Sequence, residues 1–238
     1  MVVENTMDIG NLRFNEYYHQ FMTFEADALT EKCADRISVS TDDCYALCSS
    51  WINDEGEIMF NVLSIGPTWE TCTKGLDLPE MLASFTMEEV MDCQVRIVIP
   101  DFEMMQKNAS FLEHVEHETD EELIELRQDD RLDDLRDRIY PDLVELTYFN
   151  HGRLQLCLMK LRDVQGPFIC GEIVEPEETD LPIGEKTYAL PYIGPDGIGL
   201  LRVYGDDTMD EDEHEMLHEI IHTAEEYGFG FDGYRLKN

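Results

Sequence analysis

The stretch HEMLHEIIH, residues 214–222, contains the pattern H-E-x-x-H twice, with one histidine shared between the two copies. Two histidines four positions apart lie on the same side of a helix and can both bind Zn²⁺. The glutamate between them can then act as general base towards a metal-bound water. The second copy fits this chemistry better, because uncharged residues flank it on both sides. The resulting hypothesis is a zinc-dependent hydrolase with His218 and His222 as ligands and Glu219 as base.

Three features of the sequence argue against this zinc site. The apolar residues around the motif form one face of the predicted helix, and at about 100° per residue both histidines lie away from that face, towards solvent. Zinc hydrolases with the extended motif require Gly and His at positions where this chain has Glu225 and Gly228. A chain rich in Glu and His also matches this short pattern by chance. The sequence therefore favours a protein without catalytic zinc.

The charge of the chain is its largest departure from an ordinary globular composition. Asp and Glu number 53 against 17 Lys and Arg, a formal net charge of −36 in 238 residues, while the hydrophobic fraction of 43% is ordinary. Spread over the surface expected for this size, that is one net charge per about 300 Å², about a third of the density on B-DNA. Because like charges repel, direct binding to nucleic acid or an anionic membrane is disfavoured, and a basic protein partner is favoured.

The acids concentrate in three segments. Residues 113–145 contain 14 acids against four arginines, residues 172–185 contain six acids, and residues 206–226 contain ten, the last two segments without Lys or Arg. Such uneven charge costs self-repulsion in the monomer, and a cationic surface would relieve it and accelerate association. The first of these segments, residues 113–145, is called the central segment below. The acids predicted to contact a partner are Asp129, Asp130, Asp133, Asp134 and Asp137 of the central segment, followed by Asp210, Glu211, Asp212 and Glu213.

The amino terminus and the cysteines predict a cytoplasmic location. The first residues contain neither a basic region nor an apolar run long enough for export, and no stretch approaches the roughly 18 apolar residues of a membrane span. The seven cysteines are odd in number and mostly lie in apolar segments, a pattern typical of reduced thiols in a protein core.

The sequence therefore predicts a non-catalytic, acidic, cytoplasmic binding protein that needs no cofactor. It would occupy the basic site of a protein partner as a nucleic-acid mimic or an immunity-type inhibitor. The zinc hydrolase is the first alternative. The second alternative is an acidic housekeeping domain whose charge serves solubility alone, and it predicts that no partner binds in a salt-sensitive way.

Hydrophobic periodicity predicts an α+β fold with mainly antiparallel sheets, divided into three regions. Residues 1–100 are predicted to form an N-terminal α+β lobe, residues 101–140 an acidic helical connector, and residues 141–238 a C-terminal antiparallel β lobe. The C-terminal lobe is closed by the amphipathic helix that contains the H-E-x-x-H motif. Within the connector, leucines at helical spacing predict one helix through residues 118–140, with a narrow apolar stripe and a broad anionic face.

Residues 11–36 place Phe, Tyr, Met and Leu at intervals of three to four, which predicts a helix. Two apolar runs, residues 44–52 and 57–65, flank the turn residues NDEG and predict a hairpin. Residues 78–93 predict a second helix.

The C-terminal region contains five apolar segments joined by short links with Gly, Pro or Asn. Such a pattern predicts an antiparallel sheet or a small barrel. The predicted strands are residues 143–149, 153–161, 167–174, 186–193 and 198–204.

Overall fold

The computed structural model describes residues 6–32, 42, 44–74, 83–115, 121–150, 153–165, 168–175, 181, 183–184, 186–194 and 197–203. In this part of the chain 47% of the residues lie in strands and 28% in helices, which confirms an α+β fold with sheets predominant. The chain divides into two compact units. The N-terminal unit comprises Met1–Thr119 and Arg138–Pro141, and the C-terminal unit comprises Asp120–Asp137 and Asp142–Asn238.

The N-terminal unit is built on a six-stranded sheet whose pairs are all antiparallel. Its strands are β1 (Met7–Asp8), β2 (Phe21–Glu25), β3 (Tyr45–Ile52), β4 (Ile58–Gly66), β5 (Ala83–Thr86) and β6 (Gln94–Val98). Across the sheet they follow the order β1-β6-β2-β3-β4-β5. The predicted hairpin is confirmed as β3 and β4. At its turn the Asn53 side-chain oxygen accepts hydrogen bonds from the N–H groups of Glu55 and Glu57.

In the described ranges this unit has the helices α1 (Phe14–Tyr17), α2 (Ala26–Lys32), α3 (Trp69–Lys74), α4 (Met87–Val90) and α5 (Phe102–Val115). The single helix predicted over residues 11–36 is wrong, because β2 interrupts it. The four residues from Phe21 to Phe24 are all buried. A strand that is buried on both faces loses the alternation of polar and apolar residues, so its pattern resembles that of a buried helix.

The helix predicted over residues 78–93 is wrong in part, since Ala83–Thr86 form a strand and Met87–Val90 are helical. The Thr86 hydroxyl accepts a hydrogen bond from the Glu89 N–H at 3.3 Å, and the Glu89 carboxylate accepts one from the Thr86 N–H at 3.0 Å. This capping box begins the helix at Thr86. The change from strand to helix is therefore encoded in the four residues Thr-Met-Glu-Glu.

The two faces of this sheet pack against different elements. On β2, Met22 and Phe24 belong to the main core of the unit. The opposite face contributes to a smaller cluster, which consists of Phe21, Leu47, Val98, Cys72 from α3 and Met104 from α5. The helices α3 and α5 therefore cover part of the second face.

Polar side chains share the second face with this smaller cluster. Ser49 and Asn61 lie opposite each other on β3 and β4, and both are fully buried. The Asn61 side-chain oxygen accepts a hydrogen bond from the Trp51 indole N–H at 3.0 Å. Among the described residues, neither Ser49 Oγ nor Asn61 Nδ2 has a hydrogen-bond partner. A buried polar atom without a partner lowers stability by the cost of its desolvation.

The C-terminal unit contains a closed five-stranded barrel. Its strands are β7 (Leu143–Asn150), β8 (Arg153–Gln165), β9 (Phe168–Glu175), β10 (Lys186–Gly194) and β11 (Gly197–Arg202). All five were predicted from the sequence, and the small barrel is confirmed. Strands that are sequential in the chain pair antiparallel, so the first and the fifth point the same way. Closure therefore makes β11 and β7 pair in parallel, with Leu200 opposite Leu146.

The barrel interior is filled by alternate side chains of its strands. The interior residues with no exposed surface include Leu146, Met159, Leu161, Ile169, Ile173 and Leu200. Gly171 lies among them on β9, where an added Cβ would stand 2.5 Å from Met159 Cγ. The glycine therefore makes the room that the long Met159 side chain occupies.

The helix predicted over residues 118–140 is described in part, as α6 (Glu121–Arg127), and is followed by a short 3-10 helix at Asp130–Leu132. Its leucines pack against the barrel core. Beyond Arg127 the single-helix prediction is wrong. Aspartates fill this stretch, and their side chains favour turns and helix ends over helix interiors.

The adjacent residues Ser49 and Ser50 on β3 allow a test of whether the buried Ser49 hydroxyl lacks a hydrogen-bond partner. Replacing Ser49 by Ala removes a hydroxyl without a described partner, so the free energy of unfolding should stay within about 1 kcal/mol or rise. In the control, Ser50→Ala, the Tyr17 carbonyl and the Gln20 N–H lose the hydroxyl that pairs with both. That change should lower the free energy by about 1–3 kcal/mol. Urea titration followed by tryptophan fluorescence reports on this unit, which contains both tryptophans. Equal losses in the two variants would contradict the assignment.

Candidate functional site

The H-E-x-x-H segment lies outside the described residues, as do His218, Glu219 and His222, and the zinc hypothesis stays a prediction. The acids at positions 210–213 lie outside them too. Within the described part of the chain, no group of three His, Cys, Asp or Glu side chains is arranged to hold a metal ion.

The structure separates the five predicted acids of the central segment. Asp130, Asp134 and Asp137 are exposed, and Asp129 is half-buried. Asp133 is buried, with 8% of its surface exposed. Three of the five aspartates are therefore exposed at the surface, and one belongs to the interior of the unit.

A buried ion cluster lies beneath these exposed acids. The Arg127 guanidinium binds the Asp142 carboxylate with two hydrogen bonds, Nε to Oδ1 at 3.1 Å and Nη2 to Oδ2 at 2.6 Å. Arg136 Nη1 lies 3.9 Å from Asp142 Oδ1, and its Nη2 donates to the Leu126 carbonyl at 2.6 Å. All three charged side chains are less than 5% exposed. Two of the four arginines in residues 113–145 are thus buried inside the unit.

Burial has opposing effects on the Arg136 guanidinium. Loss of hydration lowers the pKa of Arg136, whereas the negative charges of Asp142 and Asp133 act against this shift. A guanidinium is charged throughout the physiological range, so its burial requires nearby carboxylates. The buried Asp133 therefore adds negative charge near the Arg136 guanidinium.

The backbone around this cluster connects the central segment to the barrel. The Leu161 N–H donates to the Asp142 carbonyl at 2.7 Å, and the Asp137 N–H donates to the Leu143 carbonyl at 3.2 Å. Arg136 also forms an isolated antiparallel bridge with Val144. The segment with the exposed acids is therefore fixed to the first two barrel strands.

Sequence reasoning missed the roles of Arg127, Arg136 and Asp142. One local signal was present, because Arg127 lies four positions after Leu123 and directly follows Leu126, on the side of the helix that the leucines bury. A basic residue on the apolar stripe of an otherwise acidic segment indicates an internal ion pair. Its partner, 15 positions further on, has no comparable signal in the sequence.

Two of the described cysteines have raised pKa values. All six described cysteines are free thiols, and of these Cys44 is exposed while the other five are buried. Burial, with smaller contributions from Cys72 and Cys93, raises the pKa of the Cys48 thiol, and burial also raises the pKa of Cys157. These two thiols stay protonated near neutral pH, and a protonated thiol is a poor nucleophile.

In the described ranges, no helix is both long and apolar enough to cross a membrane.

The buried cluster predicts a large effect of a small change in charge. Asp142→Asn leaves two buried guanidinium groups without their shared carboxylate, and the C-terminal unit should lose about 3–5 kcal/mol of stability. The exposed Asp130→Asn change removes the same charge and should cost less than about 0.5 kcal/mol. Hydrogen exchange at the amides of β7 and β8 measures the effect in this unit. Equal protection in the two variants would show that the cluster does not hold the segment.

Comparison with known proteins finds no relative, since no protein-family model, no curated protein and no solved structure matches the chain.

Proposed function

We propose that this chain is a non-catalytic binding protein whose acidic central segment engages a basic protein partner. The observation that carries the proposal is the orientation of the charges in this segment. Asp130, Asp134 and Asp137 point to solvent, whereas Arg127 and Arg136 are buried against Asp142. Two of the four arginines in residues 113–145 are therefore turned inward.

The inward arginines make the exposed surface more acidic than the composition of the segment implies. Four arginines accompany 14 acids in residues 113–145, and two of the four are buried in the ion cluster. A partner approaching from solvent therefore meets carboxylates whose negative charge is offset little by these two buried arginines. Such a surface attracts a cationic protein over about 8–10 Å at physiological ionic strength, and the attraction weakens as salt is added.

The rigid attachment of the segment supports a role in recognition. Asp130, Asp134 and Asp137 belong to a stretch that the ion cluster and the backbone hydrogen bonds hold against the barrel. Fixed carboxylates lose less conformational entropy on binding than carboxylates on a disordered tail do. The partner class that fits such a surface is a protein with a basic site, including one that binds nucleic acid, for which the chain would act as a mimic or an inhibitor.

Asp210, Glu211, Asp212 and Glu213 remain predicted contacts of the same kind. Asp133 has a different part in the proposal, because its carboxylate is buried and adds negative charge near Arg136. Asp129, half-buried and also close enough to influence Arg136, belongs with it.

Two triple variants with equal charge test the proposal. Asp130, Asp134 and Asp137 are changed to Asn in one, and the exposed Asp54, Glu55 and Glu88 of the N-terminal unit are changed to the corresponding amides in the other. Both variants change the formal net charge from −36 to −33. Partners are captured from the native host's lysate at low and high salt, and the affinity of the captured basic protein for each variant is then measured.

The central-segment variant should bind about tenfold more weakly than the wild type, a loss of about 1.4 kcal/mol, and should depend less on salt. The control variant should stay within about threefold of the wild type. Equal weakening in the two variants would show that only total charge matters. Failure to retain a basic protein at low salt would favour the housekeeping alternative, in which the acids serve solubility.

A further inference from the structure

Helix α5 has a wider apolar surface than its own unit covers. At about 100° per residue its polar residues occupy one half of the circumference, except for Asn108. The other half, about 180° wide, is apolar, and in angular order it consists of Phe111, Met104, Val115, Leu112, Met105, Ala109 and Phe102. An apolar stripe about 100° wide is enough to pack a helix on one side of a core.

One half of this apolar arc packs against the second face of the sheet. Met104 is 3% exposed and joins the cluster of Phe21 and Val98. The Phe111 ring meets the Trp51 ring edge to face at a centroid distance of 5.7 Å. These contacts fix which side of α5 faces its own unit.

The other half of the arc faces solvent. Phe102 is 73% exposed and Met105 is 49% exposed, and Ala109 between them on the helix surface is exposed as well. Ile99, 48% exposed, comes just before the helix. Three of the seven large exposed hydrophobic residues in the described ranges thus fall within seven positions of one another. Single exposed apolar residues are ordinary on a protein surface, whereas several large ones within one short stretch make a candidate contact site.

Charge decides which occupant fits this surface. Asp101, Glu103 and Glu113 are exposed beside the apolar group, on a chain whose net charge is −36. A second copy of the chain and an anionic lipid surface are both repelled. A helix with its own apolar stripe bordered by Lys and Arg is attracted by the flanking acids and can bury the exposed apolar residues.

We propose that Phe102, Met105 and Ile99 form a docking surface for a basic amphipathic helix of a partner protein. This docking surface and the proposed function both call for a basic partner, but they have nothing else in common. It lies in the N-terminal unit, on residues other than the acids of the central segment. Each surface can therefore fail a test without the other.

The test uses the full chain and synthetic peptides of about 18 residues, long enough for five helical turns. The first peptide places Leu and Lys so that a helix has one apolar face. The second has the same composition in scrambled order, and the third has Glu in place of Lys. Binding is followed by calorimetry and by the ¹³C-methyl resonance of Met105, with the buried Met104 as internal reference.

The amphipathic Leu and Lys peptide should bind and shift the Met105 resonance, whereas the scrambled peptide should bind at least about tenfold more weakly and the Glu peptide should not bind. The double variant Phe102→Ser with Met105→Ser should weaken binding of the first peptide about tenfold. Two control variants should bind the first peptide with an affinity within about threefold of the wild type. One is Leu156→Ser, which changes a 55% exposed apolar residue of the C-terminal unit, and the other is the triple Asn variant of the central segment.

Three results would overturn the docking surface: binding that leaves the Met105 resonance unchanged in the wild type, equal binding of the ordered and scrambled peptides, or equal binding by the double variant and the wild type. Weaker binding by the triple Asn variant alone would assign the peptide to the central acidic segment, which would support the proposed function and reject this surface. An unchanged amide spectrum of the double variant shows that its fold is retained.

Discussion

The carboxylate of Asp142, shared by the guanidinium groups of Arg127 and Arg136, is the contact on which the acidic surface depends. Two cations that are buried in a protein must be paired, and Asp142 supplies the bidentate partner at the start of the barrel. Its own backbone carbonyl is part of the hydrogen bonding between β7 and β8. The same residue thus attaches the central segment to the barrel and keeps two positive charges from reaching solvent.

The fold was predictable where the pattern of the sequence is local. The five barrel strands are apolar segments separated by turn residues, so each could be recognised on its own. An odd number of sequential antiparallel strands then requires one parallel pair on closure. The helix predicted across β2 was wrong because Phe21–Phe24 are buried on both faces, which removes the alternation that identifies a strand. The capping box of Thr86 and Glu89 was a local signal that should have divided residues 78–93 into a strand and a helix.

The candidate surfaces were predictable only in part, because burial of individual side chains depends on distant residues. The sequence places Asp129, Asp130, Asp133, Asp134 and Asp137 close together in the chain, but only the fold shows that Asp133 is buried and that Arg136 lies beside Asp142. For α5 the apolar arc can be derived from helical spacing alone. Which half of that arc is covered depends on contacts of Met104 and Phe111 with strands far away in the sequence.

The net charge of −36 and the exposed apolar face of α5 have linked consequences. On a neutral protein, Phe102, Met105 and Ile99 would favour association between copies, because nothing would oppose burial of the exposed apolar surface. Here each approaching copy has the same large negative charge, and the repulsion acts before the apolar residues come into contact. A basic partner experiences the opposite sign at the same distance. Charge would then act on the rate of encounter and on the choice of partner, while short-range apolar contacts would act on the lifetime of the complex. The negative charge keeps a second copy of the chain away from the exposed apolar residues, and these residues favour basic partners that have an apolar face. Acidity and apolar exposure are therefore compatible on this chain.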